Sequence, residues 1–328
     1  MLYPIKFRPR VKERIWGGHA IAAMKAGSGA RLSPDKLYGE SWELSSVSGD
    51  VSVVANGFLK GNDLNEIVEV YMGDLVGEKI FERYGIGFPL LVKYLDCNDV
   101  LSVQVHPDDT LAAERHDSAG KTEMWYVVDC KPGAALYVGF KNPEITREEY
   151  IEAVAKSTLP ELLNRIEVSP GDIFFIPAGV VHALGAGIEV IEIQQTSDIT
   201  YRIYDWDRVD ASGRPRELHT ALAVDAIDFS ADARELHKHY RSSGGAGAAE
   251  VISCDYFNVS VVEVASELVR DRMGIDSFTV YVCIDGTAEI ASEGGSERIA
   301  RGEAVLIPAE ADSVKINGCC RLLEVYVK

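Results

Sequence analysis

Basic residues are scarce in this chain. It holds 33 lysines and arginines against 51 aspartates and glutamates, a formal net charge of −18 over 328 residues. That deficit argues against a general nucleic-acid binder and against adhesion to acidic membranes. It also means that an anionic ligand would be repelled at long range and would need a local group of Lys and Arg. Long apolar runs are missing as well. None approaches the roughly 18–20 residues of a membrane-spanning helix, and the opening "MLYPIKFRPRVKERIW" lacks the apolar stretch of a secretion signal. Cysteines number six (Cys97, Cys130, Cys254, Cys283, Cys319 and Cys320), and no two form C-x-x-C. They are expected to be small buried residues of a reduced, cytoplasmic protein, with no disulfide framework.

What is present is 47% hydrophobic residues, enough for a sizeable core, in a length that suggests about two domains. Short strand-like runs dominate: "SWELSS", "VSVVAN", "FPLLVKYLD", "LSVQVH", "EMWYVVD", "AALYVGF", "GDIFFIPAG", "IEVIEIQQT" and "YRIYDWD". Turn residues separate them at fairly even intervals, the pattern of a sandwich or barrel. Helices are expected at about 62–84, where Leu64, Ile67, Val68, Tyr71 and Leu75 form a stripe, and at about 145–165. The latter covers "TREEYIEAVAKST", opened by a Thr146–Glu149 capping box, and "TLPELLNRI", a small helical insertion between strands. The run "SSGGAGAA" at 242–249 reads as a flexible linker. It divides the chain into residues 1–242 and a second β region, 250–328. An internal repeat crosses that boundary: "SPGDIFFIPAGVVHAL" (169–184) parallels "ARGEAVLIPAEADSVKI" (300–316), with Glu310 in place of Gly179 and Ser313 in place of His182.

The candidate chemistry sits in three places. In "LSVQVHPDDT", Gln104 and His106 alternate with Val103 and Val105, so the amide and the imidazole share one strand face. Glu123 stands just before the next strand, after a loop long enough to return beside the first. "GDIFFIPAGVVHAL" matches the second cupin motif, G-x5-P-x-G-x2-H, at Gly171, Pro177, Gly179 and His182. On that resemblance, Gly179 permits a tight turn that aims His182 into a barrel mouth. Two neutral imidazoles, a carboxylate and an amide oxygen form a mixed N/O donor set that suits zinc ahead of iron or manganese. Each residue alone has a plainer reading, such as a satisfied histidine or a surface carboxylate. The four together favour one metal ion per chain.

The resemblance extends further. "IWGG", "GESWELSS", "LSVQVHPDD", "GKTEMWYVVD" and "IPAGVVHALGAGIEVIEIQQTSDITYRIYDWDR" resemble the short bacterial form of the type I mannose-6-phosphate isomerases over most of residues 1–229. This implies two cupin (jelly-roll β-barrel) domains with a small helical insertion, the second domain metal-free. It implies a zinc-dependent aldose–ketose isomerisation of mannose 6-phosphate and fructose 6-phosphate through an enediol. The zinc ligands fall on Gln104, His106, Glu123 and His182. "YRIYDWDR" departs from the corresponding stretch of the longer members, although Arg202 still aligns.

Enediol chemistry needs fixed positive charge beside the developing oxyanion. Arg202 and Lys121 are the candidates, and Glu192 is the aligned carboxylate that moves a proton or orients the group that does. Glu189, three residues earlier, falls on the opposite strand face. Lys93 and Ser102, with Trp16 of "IWGG", are candidate substrate-binding residues. His19, His116, His219, His237 and His239 lie outside these motifs and read as structural or surface residues.

Two other functions fit parts of the pattern. A cupin oxygenase could use His106, His182 and Glu123 as an iron triad, but Gln104 would fill a position that oxygen needs. A sugar-sensing cupin without turnover is the other, against which Lys121, Glu192 and Arg202 argue. The expected partner is a sugar phosphate, with no nucleic acid and no membrane, for a monomer or weak homodimer.

Overall fold

A computed structural model describes residues 1–27, 32–209, 212–242 and 244–328. The molecule is mainly β, in two regions. In the first, a seven-stranded antiparallel sheet runs in the order His237–His239, Asp172–Ile176, Glu123–Cys130, Ile188–Gln195, Leu90–Cys97, Tyr38–Leu44, Arg10–Gly18. A five-stranded sheet runs Tyr201–Tyr204, Val103–Val105, His182–Ala183, Ala135–Phe140, Leu163–Glu167. The second region is one sheet, built on the long strands Thr279–Ser292 and Ser313–Tyr326. Every residue of Leu90–Cys97 is buried, as its near-continuous apolar run requires of a central strand.

The expected helix at 62–84 is two helices, Leu64–Val76 and Glu78–Tyr84. They part at Gly77, whose φ of 100° is outside the helical range. Asp276 from the second region caps the later one, accepting from the Glu78 N–H at 2.7 Å. The Thr146–Glu149 capping box is formed, at the head of Arg147–Ala155. "TLPELLNRI" departs from its helical expectation. Only Leu159–Leu162 is helical; Leu163–Glu167 is a strand paired with Ala135–Phe140. Asp109–His116, read from sequence as part of a connecting loop, is a helix capped by Asp108.

Ser243, within the expected linker, lies outside the described residues. Beyond it, Gly247–Ser253 is a strand paired with Asn258–Val264. The two regions share a core: Leu2, Ile5, Leu64, Leu75, Val259, Val280 and Leu323 belong to one buried cluster. Ile5 exchanges two backbone hydrogen bonds with Leu306, near the opposite end of the chain. The six cysteines are all free thiols. Among the described residues no helix is long and apolar enough to cross a membrane.

Candidate active site and metal centre

Gln104 and His182 are direct cross-strand partners, and Gln104 is in turn opposite Arg202 on the other side. The three side chains form a row across adjacent strands. His106 follows at the end of its strand, where Pro107 stops the ladder. The turn bearing His182 is stitched to this strand by Gly179 N–H donating to His106 O at 2.9 Å. Gly179 has φ 92°, and a Cβ there would come within 3.0 Å of Asp228, so the turn demands glycine. The return to Glu123 is equally tight. Gly120 passes so close to the backbone of Asp108 and Asp109 that an added Cβ would sit 2.6 Å from it.

The result is a cluster of His106, Glu123 and His182, all buried, whose donor atoms lie within 4.8 Å of one another. Each imidazole is oriented from behind. His106 Nδ1–H donates to Ile199 O and His182 Nδ1–H to Val180 O, both at 2.9 Å. That fixes the tautomer and leaves both Nε2 lone pairs facing the interior of the cluster, where the Lys121 ammonium donates to His106 at 3.2 Å and the Gln104 amide to His182 at 3.1 Å. The two Nε2 atoms lie 3.5 and 3.4 Å from Glu123 oxygens. Neither oxygen of Glu123 accepts a well-aligned hydrogen bond, although the Lys121 ammonium is 3.2 Å from Oε2.

Burial, then Lys121, pushes His106 down to about 3, against the pull of Glu123. Burial lowers His182 in the same direction. Burial alone would raise Glu123; Lys121 and the two imidazoles outweigh it and hold the carboxyl well below the usual range. Two neutral imidazoles and a buried carboxylate that accepts no well-aligned hydrogen bond are a donor set that fits a divalent cation. Gln104 stands beside the group, with its amide nitrogen toward His182.

Above the cluster opens a cleft of about 470 Å³. Gln104, Lys121, Arg202, Glu192, Lys93, Ser102 and Trp16, all singled out from sequence, line it. Glu189 does not; it accepts from Tyr94 and Arg301 on the other side of the sheet. Glu192 is directly opposite Lys93. Its two oxygens are both engaged, Oε2 by Lys93 at 2.8 Å and Oε1 by Trp125 Nε1–H at 3.0 Å. Lys93 also donates to Gln194 at 2.6 Å and stands over the Trp42 ring. Burial works against its charge, but Glu192 and Glu40 prevail and raise its pKa, so it stays an ammonium.

The lining also holds residues that the sequence reading passed over. Lys12 and Arg14 belong to Arg10–Gly18, and their spacing of two before Trp16 puts all three on one face. Glu40 and Trp42 repeat that spacing on the next strand. Asp198, Thr200 and Arg216 complete one end. Of the other histidines, His219 accepts from the Arg202 N–H through Nδ1, while His237 and His239 converge on Asp172.

A mainly β fold, with a buried His–Glu–His cluster under a cleft rich in lysine and arginine, defines an enzyme of the cupin class. Family comparisons are more specific. Residues 5–135 match the catalytic domain of phosphomannose isomerase type I, and residues 249–327 match the mannose-6-phosphate isomerase cupin domain. The mannose-6-phosphate isomerase ManA of Bacillus subtilis is 34% identical over 96% of each chain. The mannose-6-phosphate isomerase of Streptococcus mutans is 32% identical over 97% of this chain and 96% of its own. The crystal structure of the mannose 6-phosphate isomerase from B. subtilis superposes with a TM-score of 0.86, covering 99% of this chain and all of that one at 33% identity. The chain belongs to the type I phosphomannose isomerase family.

Proposed function

We propose that this enzyme interconverts mannose 6-phosphate and fructose 6-phosphate through an enediol, with one divalent metal ion, zinc in the first instance, held by Gln104, His106, Glu123 and His182. The observation that carries the reading is the buried Glu123 carboxylate, which accepts no well-aligned hydrogen bond, beside two pre-oriented imidazoles. Bound there, the metal would polarise sugar oxygens as a Lewis acid.

The chain's own side chains would do the rest. Isomerisation moves a proton between C2 and C1, and negative charge builds on the sugar oxygens as it leaves. Lys121 supplies fixed positive charge beside them, and Arg202 supplies it at the phosphate end of the cleft. Glu192, its oxygens oriented by Lys93 and the Trp125 N–H, takes the proton from one carbon and delivers it to the other. Lys93, Ser102 and Trp16 form walls against which the sugar is oriented. We read the architecture as two cupin jelly rolls, divided near residues 242–250, with the second free of metal. The same reading implies a cytoplasmic monomer or weak homodimer that needs neither nucleic acid nor membrane.

A coupled assay on mannose 6-phosphate, before and after chelation and again after zinc is restored, tests the proposal. Activity should vanish with the metal and return with it. Undiminished turnover in fully chelated protein would sink the metal assignment, and no turnover in the zinc-loaded enzyme would sink the substrate.

A further inference from the structure

The cations that line the cleft are not equivalent. Arg14 is paired with Glu40, Lys12 with Asp50, Lys93 with Glu192 and Lys121 with Glu123. Arg202 has no such carboxylate among the described residues. Its Nη1 donates to the backbone of Glu217 at 2.9 Å, and its Nε is buried with no partner. Beside it is Arg216, gripped on one edge by Asp205: Nε donates to Oδ2 at 2.7 Å and Nη2 to Oδ1. The same carboxylate takes Arg208 Nη2 at 2.7 Å. Arg216 and Arg208 therefore share Asp205, Arg208 reaching Asp99 at 3.4 Å as well, while Arg202 beside them has no carboxylate of its own among the described residues. Arg208 turns away to Val100 O, which leaves Arg202 and Arg216 on the cleft. Burial, then Arg216, pulls the Arg202 pKa down, as expected of like charges crowded together.

A net-positive pair with a buried, unused donor is costly unless an anion meets it. Its position suits one end of a sugar phosphate. Arg202 is two strands from His182 along the same row, about 10 Å at ordinary strand spacing. This corner also belongs to the stretch in which the chain departs from the longer family members, so nothing is transferred to Arg216 or Asp205 by resemblance.

We propose that Arg202 and Arg216 together seat the phosphate of the substrate, and that Asp205 is a positioning residue that fixes the Arg216 fork toward the cleft. The inference rests on the isomerase reading for the identity of the substrate, but not for the presence of an anion site.

The test uses the metal-loaded, full-length protein. Calorimetry measures the binding of inorganic phosphate, and the coupled assay gives kcat and KM for mannose 6-phosphate. Arg216→Ala should weaken both phosphate binding and KM about ten- to a hundred-fold, the worth of a charge-assisted contact, with a smaller change in kcat. Arg216→Lys should recover part of the loss. Asp205→Asn should raise KM in the parent and add little in the Arg216→Ala background, whereas a merely structural role would add its full effect in both. Parent-like phosphate affinity and KM in Arg216→Ala would overturn the proposal while leaving the isomerase reading intact. If the parent failed to turn over mannose 6-phosphate yet lost phosphate binding with Arg216, the isomerase reading would fall and the anion site would stand.

Discussion

The two Ile-Pro-Ala turns of this chain begin alike and end with opposite electrostatics. In the first, Gly179 takes a left-handed turn bonded to His106, and His182 enters the interior. In the second, Glu310 replaces the glycine and its carboxylate accepts from the Leu2 N–H. Ser313 faces outward to Glu293. Arg272 fills the interior behind that turn, donating to Pro308 O, Ala311 O, Ser277 O and Thr279 Oγ1. Arg270 and Tyr281 hold the buried Glu324. So the buried carboxylate of the second region is fully partnered by protein, and that of the first is not. A closed hydrogen-bond account marks scaffold; an open one marks a place for something the chain does not supply.

That contrast can be broken most severely at His182. His182→Ala should lose stoichiometric metal and nearly all turnover while staying folded, because the second region offers no substitute. Metal analysis of the full-length variant decides it, and a full equivalent retained would mean that the ion sits elsewhere. Next in size, Lys121→Ala and Arg202→Ala should keep their metal and lose about 10²–10³ in kcat/KM, as expected when one preorganised charge leaves the reacting oxygens in the first case and the phosphate in the second. Parent-like rates in both would remove them from the site.

Arg272→Met should do the reverse. Its loss strands several buried carbonyls, so unfolding in urea should show a deficit on the order of 3 kcal/mol, with metal content and kcat per folded molecule unchanged. A loss of metal instead would mean that the regions are coupled through this arginine.

Acid gives a smaller, graded difference. In metal-stripped protein His106 is pushed from 6.5 to about 3 and His182 is also lowered, so the unfolded chain binds protons that the folded one refuses. Stability should be full above about pH 6.5 and fall as pH drops through the window toward 3, by up to about 1.4 kcal/mol per unit for each histidine. Removing His182 should flatten part of that slope, and an unchanged slope would contradict it. Smallest of all, Ser313→His should gain no metal, since Arg272 already occupies the interior. A second equivalent of bound zinc would show that only an imidazole was missing.

Much of the first region could be read from residue order because its cues are local. Gln104 and His106 show their shared face through alternation, and the glycines before His182 mark its turn. The pairings inside the cleft are different in kind. Glu192 neutralises Lys93 from 99 residues away, and strand register alone brings them together. Lys12 and Arg14 alternate with Trp16, but Glu13 and Ile15 between them give the segment no apolar face to mark it as a strand. Leu163–Glu167 looked helical after Pro160, but pairing with Ala135–Phe140 overrode that local preference. Asp109–His116 buries only Ala112, so it has no apolar stripe to announce it.

The bridge between Ile5 and Leu306 places a clock on biosynthesis. At 5–20 residues per second, about 300 residues of translation leave Ile5 waiting roughly 15–60 s for its partner. Leu2 and Ile5, which end in the shared core, are exposed for that time on the nascent chain. Ribosome-bound chains arrested before residue 300 should accordingly be cleaved near their N-terminus by added protease, and released full-length chains should resist. The candidate metal cluster and both sheets that frame it lie within residues 10–239, so the pocket's own strands are complete while the shared core still waits for the last ones.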